Sequence, residues 1–301
     1  MRTIRTAATV IAVLTLAAVS AGAAPLPPAA LYADPAPDAT HPARSEVLHI
    51  PSGGVLINGL AYIPAGAGPH PAVVLLHGLP GNEKNLDLAQ AMRRAGWTVV
   101  TFNYRGSWGS PGAYSFSGNL EDARAVLAFV RGPENAARLQ LDPKRLVIMG
   151  HSMGGWVTAV TAGKDDGLIG AALISAADMS GLRLAPSATR LQVAAGNMES
   201  LAGVTAQSLA DQFLTLGPDD SFAAAAPGLA ARSLLVLSGD DGLAAGTDAL
   251  VADVRKRGGT AVTAVHVATD HTWDDARVRL ETEVLTWLQG LPGAPKPERP
   301  H

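Results

Sequence analysis

The chain has 301 residues, of which 48% are hydrophobic and 16% charged, and its formal net charge is −3. This balance is typical of a globular protein with a large core and argues against extensive disorder. The chain has no basic run and only 5% aromatic residues, so neither nucleic-acid binding nor attachment to an anionic membrane is expected. Because it has no cysteine, disulfides and lipid-modified cysteines are excluded, and core packing must supply the stability.

Residues 1–23 have the pattern of a secretory signal peptide. Arg2 and Arg5 make the start positive, residues 7–19 form an apolar core, and residues 21–23 offer a small-x-small cleavage site. The apolar core is short for a membrane span, with a retained anchor helix as the alternative interpretation. We expect export to a periplasm or to the exterior, and no stable membrane insertion once the segment is removed.

The rest of the chain is predicted to form an α/β domain after a short linker. Residues 24–44 are rich in proline and alanine and are predicted to be extended. Residues 45–50 and 55–63 are typical of an antiparallel strand pair at a sheet edge. From residue 71 onwards, continuous apolar strands alternate with helices, which predicts a mostly parallel sheet covered on both faces. The predicted strands are 72–76, 97–102, 146–149, 169–175, 233–237 and 261–267, and the predicted helices are 86–95, 120–130, one after Gly154, and 276–288.

One interval interrupts this alternation. Residues 179–231 contain several helical patterns but no convincing strand, and the interval is too long for a bare loop in a compact domain. We predict a small helical cap over the carboxyl ends of the strands, where ligands bind in sheets of this kind. The domain is then expected to cover residues 45–291, followed by a loose proline-rich tail at residues 292–301.

The strand at residues 146–149 leads into a G-x-S-x-G motif centred on Ser152. This motif is typical of a nucleophile elbow, a sharp strand-to-helix turn that holds the serine in a strained backbone conformation. Side chains two residues before and after the serine would collide, so Gly150 and Gly154 fit there. The N–H of Met153 begins the helix, where developing negative charge is favoured, and it is the first candidate donor of an oxyanion hole.

A serine hydroxyl needs a base, and that base needs a group that orients it. Of the eight histidines, His271 follows the last predicted strand and precedes the closing helix, so it should lie at the same sheet end as Ser152. The preceding strand ends at two adjacent aspartates, of which motif spacing favours Asp241 over Asp240 as the acid. Asp178 is a third candidate. His151, which adjoins the serine, is expected to pack or hydrogen bond under the elbow. Asp270 is expected to shape the loop of His271.

The second oxyanion donor is expected in the turn after residues 72–76. Leu79 is the natural donor, because Pro80 has no N–H, and His77 is expected to lock this turn rather than to act in catalysis. Tyr104 and Trp108 lie in a loop at the same sheet end. These two residues and Trp273 are candidates for lining a substrate pocket, and for Trp108 and Trp273 ordinary packing is the alternative.

Four motifs in this order resemble the α/β-hydrolase superfamily, and within it the dienelactone hydrolases and the catalytic domains of prolyl oligopeptidases and acylaminoacyl-peptidases. The resemblance covers residues 45–291. It implies an α/β-hydrolase fold, with a mostly parallel eight-stranded sheet, helices on both faces and a small helical cap, and a Ser-His-Asp triad that needs neither a metal nor a cofactor. The motifs are His77-Gly78-x-x-Gly81, residues 103–109 (Asn-Tyr-Arg-Gly-Ser-Trp-Gly), residues 150–155 (Gly-His-Ser-Met-Gly-Gly), and Asp270-His271-Thr272-Trp273.

The chain also departs from these relatives. No segment is long enough for the β-propeller of the oligopeptidases, and no cysteine is present to serve as the dienelactone hydrolase nucleophile. In the acid-bearing turn, Ser238 stands where the family commonly has glycine. The leading hypothesis is therefore an exported serine hydrolase that cleaves carboxylic esters of small molecules through an acyl-enzyme. The alternatives are a small-peptide or acyl-aminoacyl peptidase that uses the same triad, a transferase that moves the acyl group to an alcohol, and a non-catalytic binding protein with the same fold. The sequence does not fix the substrate or the oligomeric state.

Overall fold

The computed structural model describes residues 27–295. The predicted signal peptide and residues 296–301 lie outside this range. Within it, no helix is both long enough and apolar enough to cross a bilayer.

Eight strands form a single sheet in the order β1-β2-β4-β3-β5-β6-β7-β8. The first two strands form the predicted antiparallel pair at the edge, β2 also pairs antiparallel with β4, and all the remaining neighbours are parallel. The predicted mostly parallel, eight-stranded sheet is confirmed. The strands are β1 Arg44–Ser52, β2 Val55–Ile63, β3 His70–Leu76, β4 Thr98–Phe102, β5 Leu141–His151, β6 Leu168–Ile174, β7 Ser233–Ser238 and β8 Val262–His266.

Helices cover both faces of the sheet, which explains why its strands are apolar without interruption. Val73 and Val147 pack in one buried cluster with the helices α1 and α9, whereas their chain neighbours Val74 and Ile148 pack in a second cluster with α2 and α4. The helices are α1 Leu86–Arg94, α2 Phe116–Arg131, α3 Pro133–Arg138, α4 Met153–Ala162, α5 Ser187–Ala195, α6 Ala206–Gln212, α7 Phe222–Leu229, α8 Ala244–Lys256 and α9 Arg277–Gln289.

Two of these helices, α3 and α8, were not predicted from the sequence. The short α3 begins at Pro133, a residue that fits the first turn of a helix because its missing N–H has no partner there. In α8 the buried residues are Thr247, Leu250, Val251 and Val254, which recur at helical spacing. That pattern was present in the sequence and would have identified α8.

The helical insertion predicted between β6 and β7 is confirmed. It contains the helices α5 to α7 and the 3-10 turns Met179–Leu184, Phe213–Thr215 and Pro218–Asp220. Its middle lies over the loop that follows β4, because Ala202 N–H donates to the carbonyl of Gly106 at 2.7 Å. Its last helix, α7, packs against α4 and α8 and so belongs to the helical layer beside the sheet.

The chain ahead of β1 contains one 3-10 turn, Ala29–Leu31. Ala30 is buried in the same cluster as α1 and α9, and its carbonyl accepts a hydrogen bond from the Arg94 Nε at 2.7 Å. This part of the predicted linker is therefore docked on the domain.

Candidate active site

Ser152 lies at the junction of β5 and α4, on the sharp turn that the motif predicts. Its backbone has φ +57° and ψ −122°, a conformation that costs energy for any residue with a side chain. Neighbouring backbone groups hold it there. The Ser152 N–H donates to the carbonyl of Ile174 at 2.9 Å. The Ser152 carbonyl accepts from the N–H groups of Gly155 at 2.9 Å and Ala177 at 3.1 Å.

Side chains would clash at the two glycines of the motif, Gly150 and Gly154, as the motif predicts. A Cβ on Gly150 would lie 2.1 Å from the carbonyl oxygen of Gly154, and a Cβ on Gly154 would lie 2.5 Å from that of Leu76. Both distances are far below van der Waals contact, and both clashes involve backbone atoms that cannot move aside. Gly150 therefore lets the end of β5 approach the start of α4, and Gly154 lets the start of α4 approach the end of β3.

His271 and Asp241 form a hydrogen-bonded pair at the same end of the sheet. His271 Nδ1 lies 2.8 Å from Asp241 Oδ2, and the aspartate side chain is 3% exposed against 38% for the histidine. Because a carboxylate only accepts, the proton lies on Nδ1, and Nε2 is left as the basic ring nitrogen. The arrangement gives an imidazole with one nitrogen fixed by an acid and the other free to act as a base.

The neighbouring aspartate has a different partner. Asp240 is 65% exposed, and its Oδ1 lies 3.0 Å from Nε2 of His266, whose Nδ1 lies 3.0 Å from the Ser238 hydroxyl. The third candidate acid, Asp178, accepts hydrogen bonds from the backbone N–H groups of Ser180 and Phe222 and so caps two elements of the insertion. Neither group is bound to His271.

Several donors stabilise the charge on Asp241. Burial opposes ionisation, but hydrogen bonds from His271, the Leu243 N–H and the Ser175 hydroxyl outweigh it, so the pKa of Asp241 is lowered from its usual value. The Leu243 N–H donates to Oδ1 at 2.9 Å, which leaves Oδ2 for the imidazole. Each carboxylate oxygen therefore has a defined role.

His151 supports the loop that carries His271. Its Nε2–H donates to the carbonyl of His271 at 2.7 Å, and the two ring centroids lie 4.8 Å apart. Burial lowers the pKa of His151 to about 4, so the ring is neutral at physiological pH. The His151 ring therefore forms a hydrogen bond under the elbow, as expected. Its contribution to catalysis stays a prediction.

Two backbone N–H groups, those of Leu79 and Met153, flank Ser152. A Cβ on Gly78 would lie 3.0 Å from the Ser152 Cβ, so the turn that contains Leu79 reaches the serine. In the described part of the chain, neither N–H donates to a protein acceptor. The expected role of both groups as oxyanion donors stays a prediction.

His77 packs inside this turn. It is 3% exposed, its Nδ1–H donates to the carbonyl of Gly78 at 2.8 Å, and burial lowers its pKa to about 4. A neutral, buried ring of this kind fills the turn.

Comparison with known proteins agrees with this architecture. The model of the α/β-hydrolase fold family matches residues 71–225. The chain belongs to the α/β-hydrolase fold family. The predicted superfamily and fold are thereby confirmed.

Single proteins resemble the chain only over part of its length or at low sequence identity. An uncharacterised protein of Mycobacterium tuberculosis, Rv2307c, is 32% identical over 125 residues, which make up 40% of this chain and 43% of that protein. The match thus spans less than half of that relative. Among solved structures, an esterase from Pyrobaculum calidifontis has a TM-score of 0.57 at 22% identity, covering 82% of this chain and 86% of its own. A puromycin-hydrolysing peptidase from M. tuberculosis has a TM-score of 0.62 at 20% identity, covering 86% and 41%. At these identities the likeness concerns the fold alone.

Two of the three predicted pocket residues of this α/β-hydrolase do not line an open pocket. Tyr104 and Trp273 are completely buried, and for Trp273 the packing alternative is the one observed. Tyr104 packs edge-on against His77 at a centroid distance of 4.8 Å, and the Trp273 Nε1–H donates to Ser175 at 3.0 Å. Trp108 differs, because it is 39% exposed.

Several supporting residues were missed at the sequence level. Ser175 links the buried Trp273 to Asp241, and its position after β6 gave no motif to identify it. The Tyr114 hydroxyl lies 2.9 Å from the sulfur of Met153, with Asn119 completing this buried contact beside the proposed oxyanion donor. These contacts join segments far apart in the chain, so spacing within one motif could not reveal them.

A buried ion pair anchors the loop of residues 103–109. The Arg105 Nε lies 2.7 Å from Oδ1 of Asp122, a residue of α2 with no exposed surface, and the Arg105 N–H donates to Oδ2 at 2.8 Å. Ser52 at the end of β1 also donates to this carboxylate. The loop that meets the cap is thereby tied to both the sheet edge and α2.

Proposed function

We propose that this chain is a serine hydrolase that cleaves carboxylic esters of small molecules through an acyl-enzyme. The observation that carries the proposal is the 2.8 Å contact between His271 and a buried carboxylate, at the sheet end where Ser152 is held in a strained turn. A binding protein would gain nothing from an imidazole fixed by an acid beside such a serine.

In the acylation step, the Ser152 Oγ attacks the ester carbonyl carbon while its proton passes to Nε2 of His271. The carbonyl oxygen becomes an oxyanion that the N–H groups of Leu79 and Met153 stabilise. Collapse of the tetrahedral intermediate breaks the bond to the alcohol, which leaves with the proton from His271. Asp241 stabilises the imidazolium and keeps the neutral imidazole in the tautomer with its proton on Nδ1.

In the deacylation step, water takes the place of the alcohol. It attacks the acyl carbon as His271 accepts its proton, and the same two N–H groups stabilise the second oxyanion. The second collapse returns the proton to Ser152 and releases the carboxylic acid, so the enzyme ends as it began. No other group is required by this sequence of steps.

Replacement of the nucleophile tests the proposal. Ser152→Ala should lower the hydrolysis of a short aryl ester by at least about 10⁴-fold, because the covalent route is lost. Ser187→Ala, an exposed serine at the start of α5, is the matched control and should keep full activity. Equal rates in the wild type and in Ser152→Ala would overturn the proposal.

The same groups would also serve the predicted alternative, a small-peptide or acyl-aminoacyl peptidase. We propose the ester because an alcohol leaves more readily than an amine, so it demands less of the acid that protonates it. Turnover of an aminoacyl anilide with a higher kcat/KM than an aryl ester of the same acyl group would assign the peptidase instead.

We further propose that the protein acts outside the cytoplasm, after cleavage near Ala23. The support is the order of a positive start, an apolar core and a small-x-small site in residues 1–23. N-terminal sequencing of the protein from the periplasmic or culture fraction of its source should begin near Ala24. Recovery of the intact N-terminus from the cytosol would contradict export.

A further inference from the structure

A cavity of about 190 Å³ opens at the carboxyl ends of β3 and β4, beside the turn that bears Leu79. Its lining includes Lys84, Asn58 and Asn103 together with His77 and Phe102. Ser152 follows β5, and β4 is separated from β5 by β3 alone. Two strand spacings separate β4 from β5 by roughly 10 Å, so the end of β4 that lines the cavity lies about that far across the sheet from the strand that leads into Ser152.

Lys84 brings a positive charge to this cavity without a compensating acid. Its Nζ donates to the side-chain oxygen of Asn103 at 3.0 Å and lies 4.4 Å from the ring centroid of Trp108. Among the described residues, no carboxylate approaches Nζ within the 4.0 Å of an ion pair. The adjacent Glu83 instead accepts from the Asn85 N–H and lies 4.0 Å from Arg277.

The environment of the ammonium makes an anionic partner favourable. Lys84 is partly buried, so its ammonium has lost part of its hydration, and this burial lowers its pKa. The amide of Asn103 and the face of Trp108 compensate only in part, since neither carries a negative charge. An anion that enters the cavity would complete the coordination of Nζ.

The cation is held in a fixed relation to the oxyanion turn. The Trp108 Nε1–H donates to the carbonyl of Pro80 at 2.8 Å, and the Ser200 hydroxyl of the cap donates to the same oxygen at 3.1 Å. Pro80 directly follows Leu79, the proposed oxyanion donor. Trp108, the exposed member of the predicted pocket residues, therefore connects the Lys84 charge to the reacting end of the site.

We propose that the cavity binds a carboxylate carried by the substrate itself, so that the enzyme prefers monoesters of short dicarboxylic acids. This inference rests on the proposed ester hydrolysis. One ammonium flanked by neutral amides suits a singly charged carboxylate, whereas a phosphate dianion would call for further cations. Extended adipic acid spans roughly 6 Å between its carboxyl carbons, and a hydrogen bond from its free carboxylate to Nζ adds about 3 Å. Together these lengths are close to the separation of β4 from β5.

The test compares two esters that differ in one charge, mono-4-nitrophenyl adipate and its methyl-capped diester. The wild type should show a kcat/KM at least about tenfold higher for the anionic ester, the value of one charge-assisted hydrogen bond. Lys84→Met should abolish this preference, and Lys84→Arg, which keeps the charge, should retain part of it. Lys144→Met is the matched control, because this exposed lysine lies near the start of β5, away from the site, and the preference should not change.

The outcomes separate this inference from the proposed function. If the wild type hydrolyses both esters but its preference is the same in Lys84→Met, the subsite is wrong and the esterase proposal stands. If neither ester is hydrolysed, the esterase proposal fails, and calorimetric titration with monomethyl adipate then decides the subsite. Binding to the wild type and not to Lys84→Met would support it, and equal or absent binding would overturn it.

Discussion

Replacing Asp241 by asparagine should disable His271 while leaving its position unchanged. In the wild type, Oδ1 of Asp241 accepts from the Leu243 N–H at 2.9 Å and Oδ2 lies 2.8 Å from His271 Nδ1. The Leu243 N–H requires an acceptor, so the asparagine oxygen should take the Oδ1 position and its NH₂ should face His271. A donor there moves the imidazole proton from Nδ1 to Nε2, and the ring can no longer accept the proton of Ser152. We expect kcat to fall by roughly 10³- to 10⁴-fold.

The control for this prediction is the adjacent residue. Asp240→Asn makes the same chemical change at a side chain that is 65% exposed and paired with His266, so it should change kcat by less than about threefold. The assay is the steady-state hydrolysis of an aryl ester by both variants, with circular dichroism to confirm that each is folded. If Asp240→Asn were the damaging change and Asp241→Asn the mild one, the assignment of the acid would be wrong.

Three further predictions concern the supporting residues. His151→Leu removes the hydrogen bond to the His271 carbonyl and should lower kcat about tenfold, whereas an unchanged pre-steady-state rate of acylation would show that this bond does not support the base. Arg105→Met leaves Asp122 buried without its cation and should lower the free energy of unfolding by about 3–5 kcal/mol in urea titrations, and a loss below about 1 kcal/mol would refute the anchoring role. Because burial lowers the folded-state pKa of His77 and His151 to about 4, the unfolded chain binds more protons between pH 4 and 6.5, so stability should fall as the pH decreases through this window. Each ring should contribute a slope of up to about 1.4 kcal/mol per pH unit, and denaturation of His151→Leu across the window should show a shallower slope than the wild type.

The fold was predictable because each strand and motif carries its own local signal. The apolar run before Gly150 and the glycines around Ser152 report a strand and a turn without reference to any distant residue. Strand order could not be read in this way, since the position of β3 between β4 and β5 depends on packing across the whole sheet. The superfamily resemblance implied a mostly parallel, eight-stranded sheet, and the structure gave the order of its strands.

In the candidate site, the partners and the burial of individual residues could not be predicted from local sequence patterns. Asp240 and Asp241 are adjacent in sequence, and only the three-dimensional structure reveals that one pairs with His266 and the other with His271. Trp273 was a reasonable pocket candidate by its position in a loop, yet it is completely buried against Ser175. Burial of a loop residue depends on segments from other parts of the chain, which the spacing of a motif does not report.

Intact-mass and peptide mass spectrometry can detect the proposed acyl-enzyme itself. The protein is mixed with excess aryl ester, quenched in acid within the first turnover and digested with trypsin, which releases Ser152 on the peptide of residues 146–164. We expect one acyl group per chain, located on Ser152 and missing from the Ser152→Ala protein. An acyl group on any other residue, or rapid turnover with no covalent intermediate and no loss of rate in Ser152→Ala, would contradict it.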